Sequence, residues 1–288
     1  MSLSNLHGRV FEYCVVKEFL NIKKLNVLVS EKTIRDNKRD DNKLTEISSQ
    51  KLEHFKKSSS KIVKWILNYI GNFNGNLFVE RLSDEDGKKG DVTDIRLTYE
   101  NHVLNLSLKN NHLATKHQRP GPTPKHLGIS KDSLDFMNFN KEYKKINRDF
   151  YSLIKSRNEN IEKYNEVEDL KFKNLYRPIC NLVSDFINKF NFKSDDYLTF
   201  LIGSVNFKKI ILFKDHFKIL SFDSIPRSSK MNSWVENDNY VVINFQNDVI
   251  MKMRLHTASS RLTINGSLKF DTQIQKMNID SLTIQLNN

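Results

Sequence analysis

Two short segments that alternate between apolar and polar residues, with a three-residue turn between them, most constrain the fold of this chain. Residues 94–99 (DIRLTY) and 103–108 (VLNLSL) alternate with period two on either side of Glu100, Asn101 and His102. Such alternation is typical of β-strands with one buried face, and so short a connection requires the two strands to run antiparallel. The sequence therefore predicts a β-hairpin at 94–108.

The segments around this hairpin separate into a helical part and a strand-rich last part. Apolar residues at three-to-four spacing predict helices, and short alternating or apolar runs predict strands. The predicted helices are 8–25, a polar stretch at 30–60, 61–70, 130–164 and 175–190. The other predicted strands are 77–82, 197–203, 208–213, 217–222, 240–245, 249–256 and 267–274. Residues 83–91 are predicted as a loop, and the proline-rich 116–128 as neither helix nor central strand.

This layout predicts a mixed α+β (α/β) fold, with a central mixed β-sheet flanked by helices and a β-rich C-terminal part. With 38% hydrophobic residues, the chain can bury a core. We expect 1–288 to form a single domain. Within it, 1–130 carries the N-terminal helices and the hairpin, 131–192 is a helical segment, and 193–288 is the β-rich part.

The chain carries a large positive charge. Its 46 Lys and Arg residues against 34 Asp and Glu residues give a formal net charge of +12. Neutralising phosphates releases condensed counterions, so an excess of this size favours a polyanionic partner, although many basic proteins bind no nucleic acid.

The cysteines and the N-terminal residues indicate the cellular location of the protein. Cys14 and Cys180 each lie in an apolar, helical stretch, and two isolated thiols make neither a zinc knuckle nor a disulfide framework. The N-terminus lacks the layout of a signal peptide, and no apolar run approaches the roughly 18 residues that span a bilayer. We therefore expect buried, reduced cysteines in a soluble, cytoplasmic protein with no membrane partner.

The hairpin also carries the residues best suited to chemistry. Asp94 begins the first strand and Lys109 follows the second, so the two meet at one end of the hairpin, with Ser107 on the same face as Lys109. A carboxylate can hold Mg²⁺, and an ammonium beside it can orient a water molecule or neutralise charge that develops on a phosphate. On spacing alone, an ordinary surface hairpin with an exposed acid and an exposed lysine remains the simpler interpretation.

Residues 94–109 resemble the PD-(D/E)xK nuclease motif, with Asp94 at the position of the motif aspartate and Lys109 at that of the lysine. Ser107 stands where the motif has a glutamate. The resemblance implies a PD-(D/E)xK restriction-endonuclease-like core that binds Mg²⁺, with the backbone carbonyl of Leu108 as one ligand. Asp91 and Glu12 are the two candidates for the missing carboxylate, since members of this superfamily often carry a glutamate on the first helix.

Three patches resemble the HaeIII-type restriction endonucleases, namely NLHGRVFEYCVV, LSLKNNHLATKHQRP and MRLHTASSRLTINGSLKFD. The resemblance implies a Type II restriction endonuclease that cuts double-stranded DNA at a short palindrome, GGCC. It also implies a homodimer that matches the two-fold symmetry of its target, and a cognate DNA methyltransferase as genetic partner in a restriction-modification system.

Two polar segments contain candidates for DNA contact, because basic and hydroxyl side chains bind phosphates and base edges. The candidates in the first segment are Asn111, His112, Lys116, His117 and Arg119, and those in the second are His256, Ser259, Ser260 and Arg261. A loop that caps the sheet, and a plain turn, are the respective structural alternatives.

Two other functions remain open at this point. One is a repair or recombination nuclease with little sequence preference. The other is a DNA-binding protein that kept the fold and lost the catalytic site, an alternative that Ser107 leaves open because it stands in place of the motif glutamate. A histidine-based zinc nuclease is disfavoured because no Cys or paired acidic ligands complete a site. The sequence also lacks a glycine-rich phosphate loop and a nucleophile elbow.

Overall fold

The computed structural model describes residues 3–82 and 91–286, which form two compact units. The first unit comprises Met1–Leu113, Gly203–Ile225 and Ile279–Asn288, within the described residues, and the second comprises Ala114–Ile202 and Pro226–Asn278. The predicted loop at 83–91 lies, except for Asp91, outside the described residues. The prediction of a single nuclease domain stays a prediction.

The described residues form helices and strands in the following order. The helices are α1 (Leu3–Leu20), α2 (Glu31–Asp41), α3 (Ser49–Ile70), α4 (Thr123–His126), α5 (Leu134–Arg157), α6 (Glu168–Lys171), α7 (Arg177–Lys189) and α8 (Ser194–Ile202), with a π-helical turn, Phe172–Tyr176, before α7. The strands are β1 (Asn26–Val29), β2 (Asn76–Arg81), β3 (Ile95–Tyr99), β4 (His102–Asn110), β5 (Lys116–Gln118), β6 (Phe207–Leu212), β7 (His216–Phe222), β8 (Met231–Glu236), β9 (Tyr240–Phe245), β10 (Val249–Thr257), β11 (Leu268–Lys276) and β12 (Asp280–Gln285). Short 3₁₀ turns lie at Leu44–Glu46, Tyr164–Val167 and Asn191–Lys193.

The first unit is built on a mixed sheet whose described strands follow the order β1-β2-β3-β4-β6-β7-β12. β1 pairs with β2, and β4 with β6, in parallel, while the other neighbours are antiparallel. α1 and α3 pack together, and their buried apolar side chains join those of the central strands in one core. The predicted mixed α+β class with a mixed central sheet is confirmed.

The predicted hairpin is confirmed as β3 and β4. Ile95 pairs with Leu106 and Arg96 with Asn105, so the apolar residues of both strands face the core that α1 covers. The amide of Asp94 donates to the carbonyl of Leu106 at 2.8 Å and extends the ladder by one bond. This register places Asp94 beside the end of β4.

The second unit is built on an antiparallel sheet in the order β5-β11-β10-β9-β8. α7 packs on β8 and β9, where the hydroxyls of Ser184 and Ser233 lie 3.0 Å apart. Along β10, Val249, Met251, Met253 and Leu255 are buried and the intervening side chains are more exposed. The sheet therefore has one apolar face and one polar face, because successive side chains of a strand point to opposite sides.

Several predicted elements are wrong in type or extent. Residues 197–203, predicted as a strand, belong mostly to helix α8, where Tyr197, Leu198, Leu201 and Ile202 are buried at helical spacing. A short apolar run does not distinguish a buried strand from a buried helix, so tertiary burial decided the outcome.

The proline-rich segment 116–128 contains more regular structure than predicted. β5 is an edge strand of the second sheet, and α4 is a one-turn helix with a proline in its first turn, a position that needs no backbone donor. The helix predicted at 130–164 ends at Arg157. β1, β8 and β12 were not predicted from the sequence, and most of their side chains are exposed or only partly buried.

The expectation of buried, unpaired thiols is confirmed, because Cys14 and Cys180 are both free and buried. Burial raises the pKa of the Cys14 thiol to about 12 and also raises that of Cys180. In the part of the chain that the structure describes, each helix is too short or too polar to cross a membrane.

Gly266 generates a prediction about the stability of the second unit. Its φ is +63°, and a Cβ placed there would lie 1.8 Å from Oδ1 of the buried Asn147. We expect Gly266→Ala to lower the free energy of unfolding by about 2–4 kcal/mol, because the left-handed backbone and the clash both disfavour a side chain.

Gly8→Ala is the matched control, because Gly8 lies inside α1 and a Cβ there would meet nothing within 4 Å. We expect this variant to be as stable as the parent or about 0.5–1 kcal/mol more stable. Urea denaturation of the two variants and the parent measures both effects. Equal stability of Gly266→Ala and the parent would contradict the close approach of Gly266 and Asn147.

Candidate functional site

The end of the β3–β4 hairpin brings an acid and a lysine into direct contact. Asp94 immediately precedes β3, and the antiparallel register continues from Ile95 opposite Leu106 to place Asp94 opposite Ser107. Lys109 lies two residues further along β4 and therefore faces the same side as Ser107. Oδ2 of Asp94 accepts hydrogen bonds from Nζ of Lys109 at 2.9 Å, from the amide of Leu108 at 2.6 Å and from the hydroxyl of Ser107 at 3.2 Å. The structure thus brings together Asp94, Ser107, Leu108 and Lys109.

The charges at this site reinforce one another. Burial alone would lower the pKa of Lys109, but the charge of Asp94, their hydrogen bond and the charge of Glu12 outweigh it and raise this pKa above its usual value. Lys109 therefore stays an ammonium ion at neutral pH, fixed beside a carboxylate. An ammonium in this position can stabilise negative charge that develops on a bound phosphate.

Glu12, on α1, is the second carboxylate of the site. Burial and, to a smaller extent, the nearby charge of Asp94 raise its pKa to about 7 against the opposing effects of Arg81 and Lys109. The charge of Asp94 thus disfavours a second negative charge on Glu12, and a bound cation would offset this effect. Carboxylate oxygens are ligands that a hard divalent cation such as Mg²⁺ prefers.

Asp91 is engaged elsewhere. Its carboxylate forms an ion pair with Arg96 and accepts a hydrogen bond from the amide of Thr93 at 3.0 Å. Nε of Arg96 also donates to Asn105 at 2.9 Å, which fixes the guanidinium on the sheet. Of the two candidates for the missing carboxylate, Glu12 is the one whose charge acts on Asp94 and Lys109.

Arg81 holds Glu12 in place. Its guanidinium, 3% exposed, lies 2.9 Å from Oε2 of Glu12 and 2.9 Å from Oδ2 of the buried Asp40, and it donates to Asn37 at 3.1 Å. Burial alone would raise the pKa of Asp40, yet its bonds to Arg39 and Arg81 hold that pKa below its usual value. α1, α2 and β2 thus meet at one buried arginine.

Lys209, on β6, is a charged residue near the site that was not predicted from the sequence. It pairs in register with Ser107 and is 2% exposed, and its Nζ donates to the carbonyl of Leu113 at 2.8 Å. Burial and the charge of Lys109 lower the pKa of Lys209 to about 7. The only signal in the sequence was a lysine pair that opens an apolar strand, KKIILF.

The predicted DNA contacts around the hairpin end fall in both units. Asn111 and His112 belong to the first unit, where Asn111 has a φ of +52° and its amide donates to the carbonyl of Leu212 at 2.7 Å. Asn111 is exposed, as a base or phosphate contact requires, and His112 is partly buried.

The other candidates belong to the second unit. Nζ of Lys116 lies 4.5 Å from the centre of the Phe200 ring, and burial lowers the pKa of Lys116, so this lysine packs against its own unit. Arg119 is exposed. His117 and His256 approach one aspartate, Asp271, within 2.6 Å and 2.9 Å respectively.

The segment after β10 forms a turn. The amide of Arg261 donates to the hydroxyl of Ser259 at 3.2 Å, and the carbonyl of Ser260 accepts from the amide of Tyr164 at 2.9 Å. Ser259, Ser260 and the side chain of Arg261 are exposed. The backbone of this turn is held by hydrogen bonds within the protein, and its side chains remain accessible to solvent.

Comparison with known families gives one finding. A family model described as HaeIII restriction endonuclease matches residues 8–225, which include the hairpin and Glu12. Neither the curated proteins nor the solved structures contain a significant match to the chain.

The contacts of Arg81 generate a prediction. We expect Arg81→Met to lower the free energy of unfolding by about 3–5 kcal/mol, because it leaves Glu12 and the buried Asp40 without their shared counter-charge. Arg35→Met is the matched control, since Arg35 forms an exposed pair with Glu31 at 3.8 Å; a loss below about 0.5 kcal/mol is expected there. Urea denaturation measures both, and equal losses would argue against a buried network at Arg81.

Proposed function

The chain belongs to the HaeIII restriction endonuclease family, and from that premise we propose that it hydrolyses phosphodiester bonds of double-stranded DNA at the Asp94–Lys109 site. The observation that carries this proposal is the 2.9 Å contact between Nζ of Lys109 and Oδ2 of Asp94 at the end of the hairpin. This contact supplies the acid and the ammonium that the PD-(D/E)xK motif places at its catalytic centre.

The proposed cofactor is Mg²⁺, and its proposed ligands are the carboxylates of Asp94 and Glu12 and the backbone carbonyl of Leu108. The fit rests on the chemistry of these donors, which are all oxygen atoms, and on the raised pKa of Glu12, which reflects burial and the charge of Asp94. When bound, the ion supplies Lewis acidity toward the phosphate.

The protein side chains have separate proposed roles. Lys109 orients the attacking water or stabilises charge on the phosphate in the transition state. Asp94 holds the ammonium of Lys109 in position, and the amide of Leu108 and the hydroxyl of Ser107 hold Asp94. Glu12 takes over the charge that the motif glutamate would have supplied at position 107. Asp91, paired with Arg96 and bound by the amide of Thr93, holds the residues immediately before β3.

The proposed substrate is an unmethylated short palindrome, GGCC, cut by a Type II enzyme that works as a homodimer in the cytoplasm. A cognate DNA methyltransferase would protect the host's own sites. The net charge of +12 supports a DNA substrate, and the family resemblance supports the recognition sequence. The exposed Asn111, which follows the hairpin, and the exposed Arg119 of the second unit are proposed contacts to bases or phosphates.

A second candidate function is DNA binding without cleavage. The observation that favours it is Ser107, which has no charge where the motif has a glutamate. Plasmid DNA incubated with the protein and Mg²⁺ and then run on a gel distinguishes the candidate functions. Discrete bands indicate a site-specific nuclease, a smear indicates a sequence-tolerant nuclease, and a gel shift without cutting indicates binding alone.

The first prediction of this proposal concerns Asp94 and Lys109. With plasmid DNA and Mg²⁺, Asp94→Asn and Lys109→Ala should each lower the cutting rate by at least about 100-fold. Asp94→Asn removes a charge that would hold the ion and Lys109, and Lys109→Ala removes the ammonium that acts on the reacting phosphate. Lys145→Ala is the control, since Lys145 forms an exposed pair with Asp149 on α5. Cutting by Lys109→Ala at the parental rate would reject the assignment of the site.

The second prediction decides which carboxylate replaces the motif glutamate. Glu12→Gln keeps the shape of the side chain and an oxygen for Arg81, but it removes a charge from the proposed ion site. We expect it to raise the Mg²⁺ concentration for half-maximal cutting by at least about 10-fold. Asp91→Asn should leave that concentration nearly unchanged. The reverse pattern in a Mg²⁺ titration would assign the role to Asp91.

A further inference from the structure

Four basic side chains surround one carboxylate on the polar face of the second unit's sheet. The distances to oxygen atoms of Asp271 are 2.6 Å from Nδ1 of His117, 2.9 Å from Nε2 of His256, 3.6 Å from the guanidinium of Arg254 and 3.9 Å from Nζ of Lys269. We call these five residues the Asp271 cluster.

Strand register assembles the cluster from three neighbouring strands. Asp271 on β11 pairs with His117 on β5 and with Arg254 on β10, and Lys269 pairs with His256. Paired residues of antiparallel strands share a face, and residues two apart on one strand share it as well. All five side chains therefore lie on the face opposite to the buried Met253 and Leu255.

The acid of the cluster is less exposed than each of its bases. The side chain of Asp271 is 12% exposed, whereas those of Arg254, His117 and Lys269 are 51%, 48% and 36% exposed. An approaching ligand therefore meets basic groups before it meets the carboxylate.

The carboxylate stays ionised and the cluster stays positive. Burial alone would raise the pKa of Asp271, but its contacts with His117 and His256 outweigh burial and hold that pKa well below its usual value. Arg254 and Lys269 together carry two positive charges against this one negative charge.

We propose that the Asp271 cluster is a binding site for a backbone phosphate of DNA, with Arg254 and Lys269 as the phosphate contacts and Asp271 as the residue that positions them. This inference rests on the proposed function and extends it to a surface of the second unit. Arg254 and Lys269 were not among the candidates from the sequence. A guanidinium and an ammonium on one sheet face match phosphate oxygens in charge and in donor geometry.

DNA is the ligand class that the charges favour. Contacts to phosphate fix the position of a protein on the duplex without reading its sequence. The cluster should therefore contribute equally to the binding of DNA with and without the recognition site. It should also contribute to the dependence of binding on salt, because each phosphate neutralised releases counterions.

The test is DNA binding by the full chain with Arg254 and Lys269 both changed to Gln. Fluorescence anisotropy of a labelled duplex, without divalent ions so that no cutting occurs, gives the dissociation constant at several salt concentrations. We expect binding to weaken at least about 10-fold, and the slope of log K against log salt to fall in magnitude by about 1 for each phosphate that the variant no longer neutralises. The weakening should be the same for duplexes with and without GGCC.

Two controls distinguish the effect of charge in the Asp271 cluster from the effect of the net charge of the protein. Arg227→Gln removes a more exposed arginine of the same unit, which is paired with Asp195, and it should leave the slope unchanged. The charge-conserving pair Arg254→Lys and Lys269→Arg should keep most of the affinity. Parental affinity and slope in the double Gln variant would overturn the inference and leave a purely structural ion cluster.

The result also distinguishes this inference from the proposed function. If the parent binds and cuts DNA while the double Gln variant binds equally well, only the Asp271 cluster is excluded as a contact. If the parent neither binds nor cuts any duplex in Mg²⁺, both proposals fail. Thermal denaturation of the double variant, whose changed side chains are exposed, shows whether weaker binding reflects unfolding.

Discussion

The register between β3 and β4 is the constraint on which the candidate site depends. It places Oδ2 of Asp94 within reach of three donors from β4, including the Lys109 ammonium at 2.9 Å. A slip of one residue would move every side chain of a strand to the opposite face, which would expose Leu106 and turn Lys109 into the core. The apolar face of the hairpin and the polar site are therefore specified by the same alternation.

Unbalanced charge is the second property of the site. Glu12 has a raised pKa because it is withdrawn from solvent near Asp94, and Lys209 has a lowered pKa because it is buried near Lys109. Groups of like charge thus lie near one another, although Asp94 contacts Lys109 and Arg81 binds both Glu12 and Asp40 from within the core. Placing like charges close together lowers the free energy of unfolding, and such arrangements are common at protein sites that bind ions or charged substrates.

The second unit shows the opposite arrangement, in which one partly buried acid lies among several more exposed bases. The Asp271 cluster lies on the polar face of an antiparallel sheet whose apolar face is occupied by its own core. In the two proposals, the first unit contains the site that cleaves DNA and the second unit contains a surface that binds its phosphates. Both arrangements use β-sheet register to bring together residues that are distant in sequence.

The sequence by itself determined the hairpin, the pairing of Asp94 with Lys109, the helical start of the chain and the mixed fold class, because these follow from local periodicity and short turns. It could not separate a strand from a helix at 197–203, where the apolar run is short. Only the tertiary structure decided that Asp91 is bound by Arg96, that Glu12 acts on Asp94, that Lys209 lies beside Ser107, and that Asp271 gathers four basic groups. The reason is physical, since most of these contacts join residues far apart in the sequence, by as many as 154 positions, and no local pattern encodes which strands become neighbours in a sheet. Asp91 and Arg96 are only five positions apart, but neither alternation nor turn length predicts which side chain an acid before a strand will bind.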